Sequence, residues 1–511
     1  MKRDGATTSL WQKDIAAYES KTLHLPRQTF DIIIAGGGVT GITTALELQK
    51  AGKKCLVVEA HTLCFGTTGG TTAHLNTYID TAYQQIKKDF GEDAIQLMAS
   101  ATRKAIQLYK SNVDSYNIDC GFEEKEGYVF SKNAKQTEEL NKLFEASALA
   151  GLDVRYADTI SMPFEFEKAM VFPAQAQVHP TKYVFALAAA FEKAGGIIVQ
   201  HCAVEDVVEK EGGVVVQTTL GAVEAHFLIY ATHIPPKVNL LHFRCAPYRS
   251  YAIAIKLEQQ YDGLVYDLDE PYHYYRTQEV NGENYLIAGG EDHKTGHEQN
   301  TEACFARLQA YVSKYFPTDE IAYRWSSQYF EPADGLPYIG LLPGSSGNVL
   351  VATGFSGNGM TYSHIAAPLL TDLIIGKENA CAALFSPNRI KPVAGFTSFV
   401  KENADVVGQF VKKRFSAQKI TELAALAPGE GKLIKYEGEK LAVYKDLSGH
   451  VHALQPVCTH AGCIVDWNNA EKTWDCPCHG ARYAIDGTVV TGPASKALEV
   501  VSLIDLLEEN K

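Results

Sequence analysis

The sequence lacks the features that would place a protein in a membrane or on a nucleic acid. Its best candidate for an apolar span, residues 364–375, is shorter than the roughly 20 residues needed to cross a bilayer and is interrupted by Asp372. It contains no lysine- and arginine-rich run, and 47 basic against 60 acidic residues give a net charge of −13. The composition therefore argues against a transmembrane segment and against nucleic acid as a partner.

The chain is also too poor in cysteine to be a disulfide-stabilised secreted scaffold, with 11 cysteines in 511 residues. Lys2 and Arg3 are followed by Asp4 and polar residues rather than by the apolar stretch of an export signal. These features predict a cytoplasmic protein. The length is sufficient for two or three domains.

Two clusters of metal-ligand residues occur near the end of the chain. The first contains Cys458 and His460, and the second contains Cys476 and His479 in the sequence Cys-Pro-Cys-His-Gly. Two thiolates and two imidazoles can bind zinc, or they can bind a [2Fe–2S] cluster in which two histidines replace two cysteines and raise the reduction potential. The sequence pattern of the two clusters favours the iron–sulfur centre.

This pattern resembles the Rieske motif, and the resemblance implies roles for the residues around it. Cys458, His460, Cys476 and His479 match the cluster ligands, while Cys463 and Cys478 match the cysteines that form a disulfide between the two ligand loops. Tyr483 matches a hydrogen-bond donor to the cluster. Ala481 stands where a serine donor is usual, so the resemblance also implies a lower potential than in respiratory Rieske proteins.

A second cofactor motif lies near the start of the chain. Residues 30–35 form an apolar run of strand type, Gly36, Gly38 and Gly41 follow in a G-x-G-x-x-G pattern that opens a helix, and a second strand ends at Glu59. The glycines allow a tight turn, a close approach to a pyrophosphate and close packing of helix on strand. Glu59 would accept hydrogen bonds from a ribose. The motif predicts a bound dinucleotide.

Three later segments favour FAD as that dinucleotide. The first is a glycine-rich loop that contains Thr68 and Gly69, and the second is residues 331–340, which precede a strand. The third opens a helix with Gly354, Phe355, Ser356, Gly357, Asn358, Gly359 and Met360. Together these segments resemble the D-amino-acid-oxidase (DAO) superfamily of FAD-dependent oxidoreductases, in the form fused to a C-terminal Rieske domain. The resemblance implies an α/β, Rossmann-like FAD-binding domain of glutathione-reductase type, an α+β substrate domain and a small all-β Rieske domain.

The same resemblance predicts a discontinuous domain arrangement. Residues 28–90, 170–240 and 325–385 would form the FAD-binding domain, and residues 91–169 and 241–324 the substrate domain. Residues 386–428 would connect these to a Rieske domain at 429–508. Within the connector, apolar residues at helical spacing predict a helix over residues 399–415.

Substrate contacts are expected on the strand at residues 272–276. Alternation places Tyr272, Tyr274 and Arg276 on one face, where a tyrosine wall and one cation would suit a carboxylate-bearing amine, although the same residues could simply pack. Sarcosine-oxidase-type relatives carry a lysine that binds the substrate carboxylate at the position of Thr361 or Met360. That contact with a carboxylate is therefore not expected here. His74 matches a histidine that is covalently bonded to flavin in dimethylglycine-dehydrogenase-type enzymes; covalent, non-covalent active-site and structural roles all remain open.

Two functions fit these features. The first is a dehydrogenase that oxidises a small amine, amino acid or hydroxy acid with FAD and passes electrons to the cluster and on to a one-electron acceptor, either a protein or a quinone. The second is an electron-transfer protein that has no small-molecule substrate and links partner redox proteins. Both require FAD and a [2Fe–2S] cluster.

Overall fold

The computed structural model describes residues 3–318, 320–389, 418–419, 426–436 and 439–502. The strands in chain order are β1 Phe30–Ala35, β2 Cys55–Val58, β3 His74–Leu75, β4 Glu123–Ser131, β5 Arg155–Ala157, β6 Lys168–Gln177, β7 Ile197–Val199, β8 Val204–Lys210, β9 Gly213–Thr218, β10 Gly221–Tyr230, β11 Cys245–Leu257, β12 Leu264–Asp267, β13 Tyr274–Val280, β14 Glu283–Lys294, β15 Tyr323–Pro332, β16 Tyr338–Leu341, β17 Val349–Thr353, β18 Gln418–Lys419, β19 Gly431–Tyr436, β20 Glu439–Lys445, β21 Val451–Leu454, β22 Asp466–Asn468, β23 Thr473–Asp475, β24 Arg482–Tyr483 and β25 Val489–Thr491.

The α-helices are α1 Val39–Lys50, α2 Thr67–Gly70, α3 Tyr83–Phe90, α4 Glu92–Tyr116, α5 Ala134–Leu149, α6 Pro180–Lys193, α7 Thr301–Val312, α8 Gly359–Ile375 and α9 Ala382–Phe385. A short 3₁₀ helix covers Leu240–Phe243. Among the described residues, no helix is both long and apolar enough to span a membrane.

The first sheet carries the dinucleotide motif. Its strands lie in the order β16-β17-β10-β1-β2-β7, with β9 and β8 added beside β10. The central strands β17, β10, β1, β2 and β7 run parallel. Helix α1 packs against α6 and α8. The apolar run in β1 is therefore enclosed, as expected for a strand in the middle of a parallel sheet.

The second sheet has nine strands in the order β15-β11-β14-β13-β12-β4-β6-β3, with β5 paired to β6. All of its ladders are antiparallel except the one between β12 and β4. Helix α7 packs on β11 and β14, and α5 packs on β4 and β6. The second sheet and its helices therefore form an α+β unit. We call the two sheets with their helices the flavin module.

The C-terminal part is a small all-β unit of two four-stranded sheets, in the orders β18-β19-β20-β21 and β22-β23-β24-β25. We call it the Rieske module. The mixed α/β core followed by this all-β unit confirms the predicted fold class.

The predicted domain limits stay a prediction. The strands of the first sheet fall within the segments assigned to FAD, but β3 and most of β6 and β15, from those same segments, pair in the second sheet. The local pattern of a strand does not show which sheet it will join. The helix expected over residues 399–415, most of the connector and residues 503–508 lie outside the described residues.

Candidate active site and iron–sulfur centre

The turn after β1 is shaped to hold a phosphate group against a helix. A Cβ on Gly41 would lie 1.9 Å from the carbonyl oxygen of Gly36, so any side chain there would push α1 away from β1. Helix α1 has no side-chain cap at Gly38 and no acidic residue in its first turn. Its N-terminus therefore suits an anion such as the pyrophosphate of FAD.

Glu59 and Thr68 close this turn from the other side. The Glu59 carboxylate accepts hydrogen bonds from the N–H groups of Gly37 (2.6 Å) and His61 (2.8 Å). Thr68 Oγ1 accepts one from Val39 N–H at 3.1 Å. A carboxylate has about four acceptor sites, so Glu59 retains capacity for a ribose hydroxyl.

A second helix N-terminus faces the same space. Helix α8 begins after Asn358, whose side chain accepts from the N–H of Asp80 at 2.8 Å rather than capping the helix. Gly357 N–H donates to the Asp80 carboxylate at 2.6 Å. Because a helix N-terminus carries partial positive charge, it stabilises negative charge on a group bound against it, as reduced flavin would require.

These elements enclose a cavity of about 440 Å³. Nine of the predicted FAD residues line it: Gly36, Gly38, Glu59, Thr68, Phe355, Ser356, Gly357, Gly359 and Met360. The other four, Gly41, Gly69, Gly354 and Asn358, lie behind this wall and shape it through close packing and hydrogen bonds. The wall also includes residues 489–495 of the Rieske module. The residues present therefore fit FAD.

Two carboxylates, Asp80 and Asp292, are hydrogen-bonded to residues of the cavity wall, although neither lines the cavity itself. Tyr329 lines the cavity and donates to Asp292 Oδ2 at 2.9 Å, while the second oxygen, Oδ1, is buried with no hydrogen-bond partner among the described residues. Asp80 lies near enough to influence Asp292 electrostatically. Burial raises the pKa of both Asp80 and Asp292 to about 6.

The three residues predicted to contact substrate lie close together, but only Tyr274 lines the cavity as described. His74 packs edge-on against Tyr274 (5.7 Å between ring centroids), and its Nδ1 is 2.8 Å from the hydroxyl of Tyr266. Burial, together with the charge of Arg276, lowers the pKa of His74 well below its usual value. This shift favours the neutral imidazole, and the covalent, non-covalent and structural roles of His74 all stay open.

Arg276 lies in a setting that its sequence position does not reveal. It is fully buried and donates to the backbone carbonyls of Ala73 (2.6 Å) and Val178 (3.3 Å). Its guanidinium also lies over the ring of Trp11 at 5.1 Å. These contacts fix the backbone that leads into His74, so they favour a positioning role for Arg276 over the predicted grip on a carboxylate.

The four predicted cluster ligands converge in the Rieske module. The rings of His460 and His479 are 5.0 Å apart, and the thiols of Cys458 and Cys476 are close enough to share a hydrogen bond. All four imidazole nitrogens are buried without a hydrogen-bond partner among the described residues. Burying unpaired nitrogens is costly, and iron ligation would remove that cost for one nitrogen of each ring. The residues therefore fit a [2Fe–2S] cluster.

The predicted disulfide is confirmed. Cys463 and Cys478 are bonded, with an S–S distance of 2.20 Å and a Cα–Cα distance of 6.6 Å. Because these residues belong to different ligand loops, the bond ties the two loops together across 15 residues of sequence.

The hydroxyl of Tyr483 occupies the position predicted for a donor to the cluster. It is 3.2 Å from Cys458 Sγ and accepts a hydrogen bond from Thr459 N–H at 3.1 Å. A donor to a ligand sulfur stabilises the added negative charge of the reduced cluster.

We expect Tyr483→Phe to lower the reduction potential while iron content stays unchanged, as measured by a spectroscopic redox titration. Ala481→Ser should shift the potential upward, and an equal potential in both variants would contradict this assignment.

The second ligand loop is held between the two modules. Gln328, which lines the FAD cavity, donates from Nε2 to the carbonyl of Gly480 at 2.8 Å. A Cβ on Gly480 would lie 2.7 Å from Gln328 and 2.9 Å from Pro247. His242, on the 3₁₀ helix, packs against the rings of His460 (4.5 Å) and His479 (5.5 Å). The cluster ligands thus face the flavin module.

A buried charge network joins the modules beside this contact. It contains three cations and three anions, each less than a tenth exposed: Arg3, Asp4, Arg249, Glu471, Asp475 and Arg482. Its ion pairs join Arg3 to Glu471 (3.0 Å), Arg482 to Asp4 (3.0 Å) and Arg249 to Asp475 (3.3 Å). The N-terminal segment, β11 and the Rieske sheet all contribute, so we call this set the interface network.

Sequence reasoning missed several of these residues. Asp80, His242 and Gln328 belong to no recognisable motif, and Arg3 and Asp4 were considered only for an export signal. Asp292 carried no local signal either, because it lies between Glu291 and His293 at the partly exposed end of β14, where the sequence does not distinguish it from a surface acid.

Comparison with known proteins agrees with this geometry. A family model for DAO, FAD dependent oxidoreductase, matches residues 31–373, and a model for the Rieske [2Fe-2S] domain matches residues 416–502. The Rieske 2Fe-2S iron-sulfur protein YhfW of Bacillus subtilis (strain 168) is 34% identical, with 93% of each chain covered. Gamma-glutamylputrescine oxidoreductase of Escherichia coli (strain K12) is 24% identical over 68% of this chain and 84% of its own length.

Among solved structures, glycine oxidase from Geobacillus kaustophilus has the same fold as the flavin module. The TM-score is 0.60 at 20% identity, and the match covers 71% of this chain and 99% of that chain. The chain therefore belongs to the DAO family of FAD-dependent oxidoreductases. Within that family it is an enzyme that also carries a Rieske domain, with FAD and a [2Fe–2S] cluster as its cofactors.

Proposed function

We propose that this enzyme is a dehydrogenase that oxidises a small amine and passes the electrons through its own cluster to a one-electron acceptor. The observation that carries the proposal is the shared wall between the two cofactor sites. Gln328 lines the FAD cavity and is hydrogen-bonded to Gly480, the residue that follows the ligand His479. FAD supplies two-electron oxidation of the substrate, and the cluster supplies one-electron transfer.

The charge of the cavity wall supports an amine as the substrate. None of the described residues that line the cavity is a lysine or an arginine, and Arg276 is occupied by backbone carbonyls. Asp80 and Asp292 stand close to the tyrosines instead. A protonated amine would gain a charge-assisted hydrogen bond from a carboxylate, whereas a substrate carboxylate would find no cation. One relative is named gamma-glutamylputrescine oxidoreductase, which agrees with this substrate class.

The protein's residues bind and orient such a substrate. Tyr274 is tied to Ser250 by a hydrogen bond of 2.9 Å, and Tyr272 and Tyr274 stand 5.7 Å apart by ring centroid. Fixed aromatic rings hold an alkyl chain and exclude water from the reacting carbon. A carboxylate whose pKa is near 6 can also take a proton from the bound ammonium group.

The substrate class is tested by mixing the anaerobic holoenzyme with panels of amines, amino acids and hydroxy acids. We expect the flavin absorbance to decrease with one or more amines. Reduction by amino acids or hydroxy acids alone would contradict the amine assignment. If no small molecule reduced the flavin but a reductase protein did, the enzyme would instead be an electron-transfer protein without a substrate.

Replacing Asp292 with asparagine should weaken amine binding. We expect the amine concentration for half-maximal flavin reduction to rise about 10- to 100-fold, because a charge-assisted hydrogen bond contributes about 1.5–3 kcal/mol. In the parent enzyme, amine binding should strengthen as pH rises through about 6, where Asp292 becomes ionised. Asp292→Asn should reduce this dependence, which stopped-flow titration at several pH values measures.

Glu291→Gln provides a matched control for Asp292→Asn. Neither acid lines the cavity itself, but Asp292 is bonded to the cavity residue Tyr329, whereas the adjacent Glu291 pairs with Arg307 (2.5 Å). The control should bind amines as the parent does. Equal weakening in both variants would show that Asp292 has no specific contact with the substrate.

A further inference from the structure

The two cluster-ligand loops differ in their access to solvent. The loop of Cys476 and His479 is buried throughout, with His479 4% exposed, because it lies against the flavin module. The loop of Cys458 and His460 reaches the surface, where Thr459 and Ala461 are exposed. Electrons that arrive through the buried loop can therefore leave the protein most directly through the exposed one.

Exposed apolar side chains lie on this loop and on the neighbouring 3₁₀ segment of the flavin module. Val457, next to Cys458, is 43% exposed. Val238 and Leu240, from the flavin module, are 54% and 45% exposed, and they flank Asn239, which caps the 3₁₀ helix. His242 on the same 3₁₀ helix contacts the ring of His460 at 4.5 Å. Both modules thus contribute exposed apolar residues beside one cluster ligand, in continuity with the interface between the modules.

We propose that Val238, Leu240 and Val457 form the docking surface for a one-electron carrier protein, which takes electrons from the cluster through the Cys458–His460 loop. We call these three residues the exit surface. The proposal rests on the function proposed above and adds its partner. One electron leaves the reduced cluster and one centre in the carrier is reduced; no covalent bond changes.

The properties of the exit surface favour a protein as its occupant. An occupant at this place must hold a redox centre, because the loop beside it carries two cluster ligands. The apolar residues are few and spread over two modules, as in the small interfaces of transient electron-transfer complexes, which bury less than about 1,200 Å². All three are exposed and none lines the FAD cavity, whereas a free quinone is usually held in a concave apolar pocket.

The test uses holoenzyme reduced by dithionite and freed of excess reductant, so that it does not depend on any substrate. The reduced protein is mixed in a stopped-flow instrument with a c-type cytochrome, a blue-copper protein or a short-chain water-soluble quinone, the two proteins being one-electron oxidants. Reoxidation of the cluster is followed by absorbance. We expect at least one of the two carrier proteins to reoxidise the cluster of the parent enzyme. The second-order rate constant of that reaction should fall 10-fold or more in Leu240→Asp and in Val457→Asp.

Two matched controls separate docking from folding. The controls are exposed leucines outside the exit surface, Leu220 of the flavin module (48% exposed) and Leu447 of the Rieske module (84% exposed). Leu220→Asp and Leu447→Asp should leave the rate constant unchanged. The cluster spectrum and reduction potential should be the same in all four variants. The proposal would be overturned if only the quinone reoxidised the cluster, or if none of the three oxidants did. It would also be overturned if the carrier protein reoxidised the parent and the Leu240→Asp variant with equal rate constants. None of these results depends on whether an amine reduces the flavin.

Discussion

Replacing Cys476 with serine should remove the iron–sulfur cluster and leave FAD bound. Cys476 is 1% exposed and belongs to the ligand loop between the modules, whereas the pyrophosphate turn lies on β1 and α1 of the flavin module. Loss of one ligand should therefore affect one cofactor only. Iron content and the electron paramagnetic resonance signal of the reduced cluster should be lost, and released FAD should remain stoichiometric with protein.

The same variant should separate the two halves of the reaction. Flavin reduction by a substrate should change little, but electron delivery to a one-electron acceptor should fall by about 100-fold or more, since even the loss of a residue that supports a metal ligand costs about 10- to 100-fold. Transfer from the flavin side through Gln328 and the His479 loop would then have no cluster to reach.

Cys381→Ser is the matched control, because Cys381 is a free cysteine of the flavin module that lies at the start of α9. It should keep both cofactors and the full rate. If Cys476→Ser retained the cluster, the ligand assignment would be wrong. If the flavin reoxidised in air equally fast in parent and variant, with one peroxide formed per substrate, the protein would be an oxidase.

The second large effect is expected from the interface network. Glu471→Gln removes one of the two anions that pair with Arg3, the other being Asp4 at 3.3 Å, and leaves three cations against two anions between the modules. Breaking a buried ion pair by removing one partner typically costs about 3–5 kcal/mol. Glu471 also accepts hydrogen bonds from the N–H and hydroxyl of Ser326 on β15, and the amide would keep only part of these. We therefore expect the Rieske module to separate from the flavin module at lower denaturant concentration.

Glu302→Gln tests whether burial produces this effect. Glu302 pairs with Arg324 at 2.7 Å on the surface, where an ion pair contributes at most about 1 kcal/mol. Limited proteolysis and release of iron on urea titration should distinguish Glu471→Gln from both the parent and this control. Equal behaviour of all three proteins would show that the interface network does not hold the modules together.

The network also predicts a pH dependence. Burial alone would raise the pKa of Glu471, but the charges of Arg3, Arg249 and Arg482 outweigh it and lower the pKa from 4.5 to about 2. The group therefore stabilises the folded interface fully above about 4.5, and this contribution, of about 3 kcal/mol, is lost as pH falls toward 2. Glu471→Gln should show less change in stability over that pH range.

The sequence by itself determined both cofactors, because each motif is built from residues close together in the chain. The glycines of the first turn are required by contacts within one strand–turn–helix unit, of which the 1.9 Å approach of Gly41 to the Gly36 carbonyl is the clearest. The cluster ligands lie in two loops that a disulfide joins across 15 residues. Motifs as short as these can be matched to known families from the sequence, and that resemblance assigned the cofactors.

Only the tertiary structure decided how the two cofactor sites meet and what surrounds the substrate. The alternation at residues 272–276 correctly separated Tyr274 and Arg276 from Tyr275, but it could not show that two backbone carbonyls would occupy Arg276. Arg3 and Glu471 form an ion pair across 468 residues of sequence. Contacts of this kind depend on the packing of whole sheets and modules, which local periodicity does not encode. Only the folded chain therefore shows the interface network, the contact of Gln328 and the exit surface.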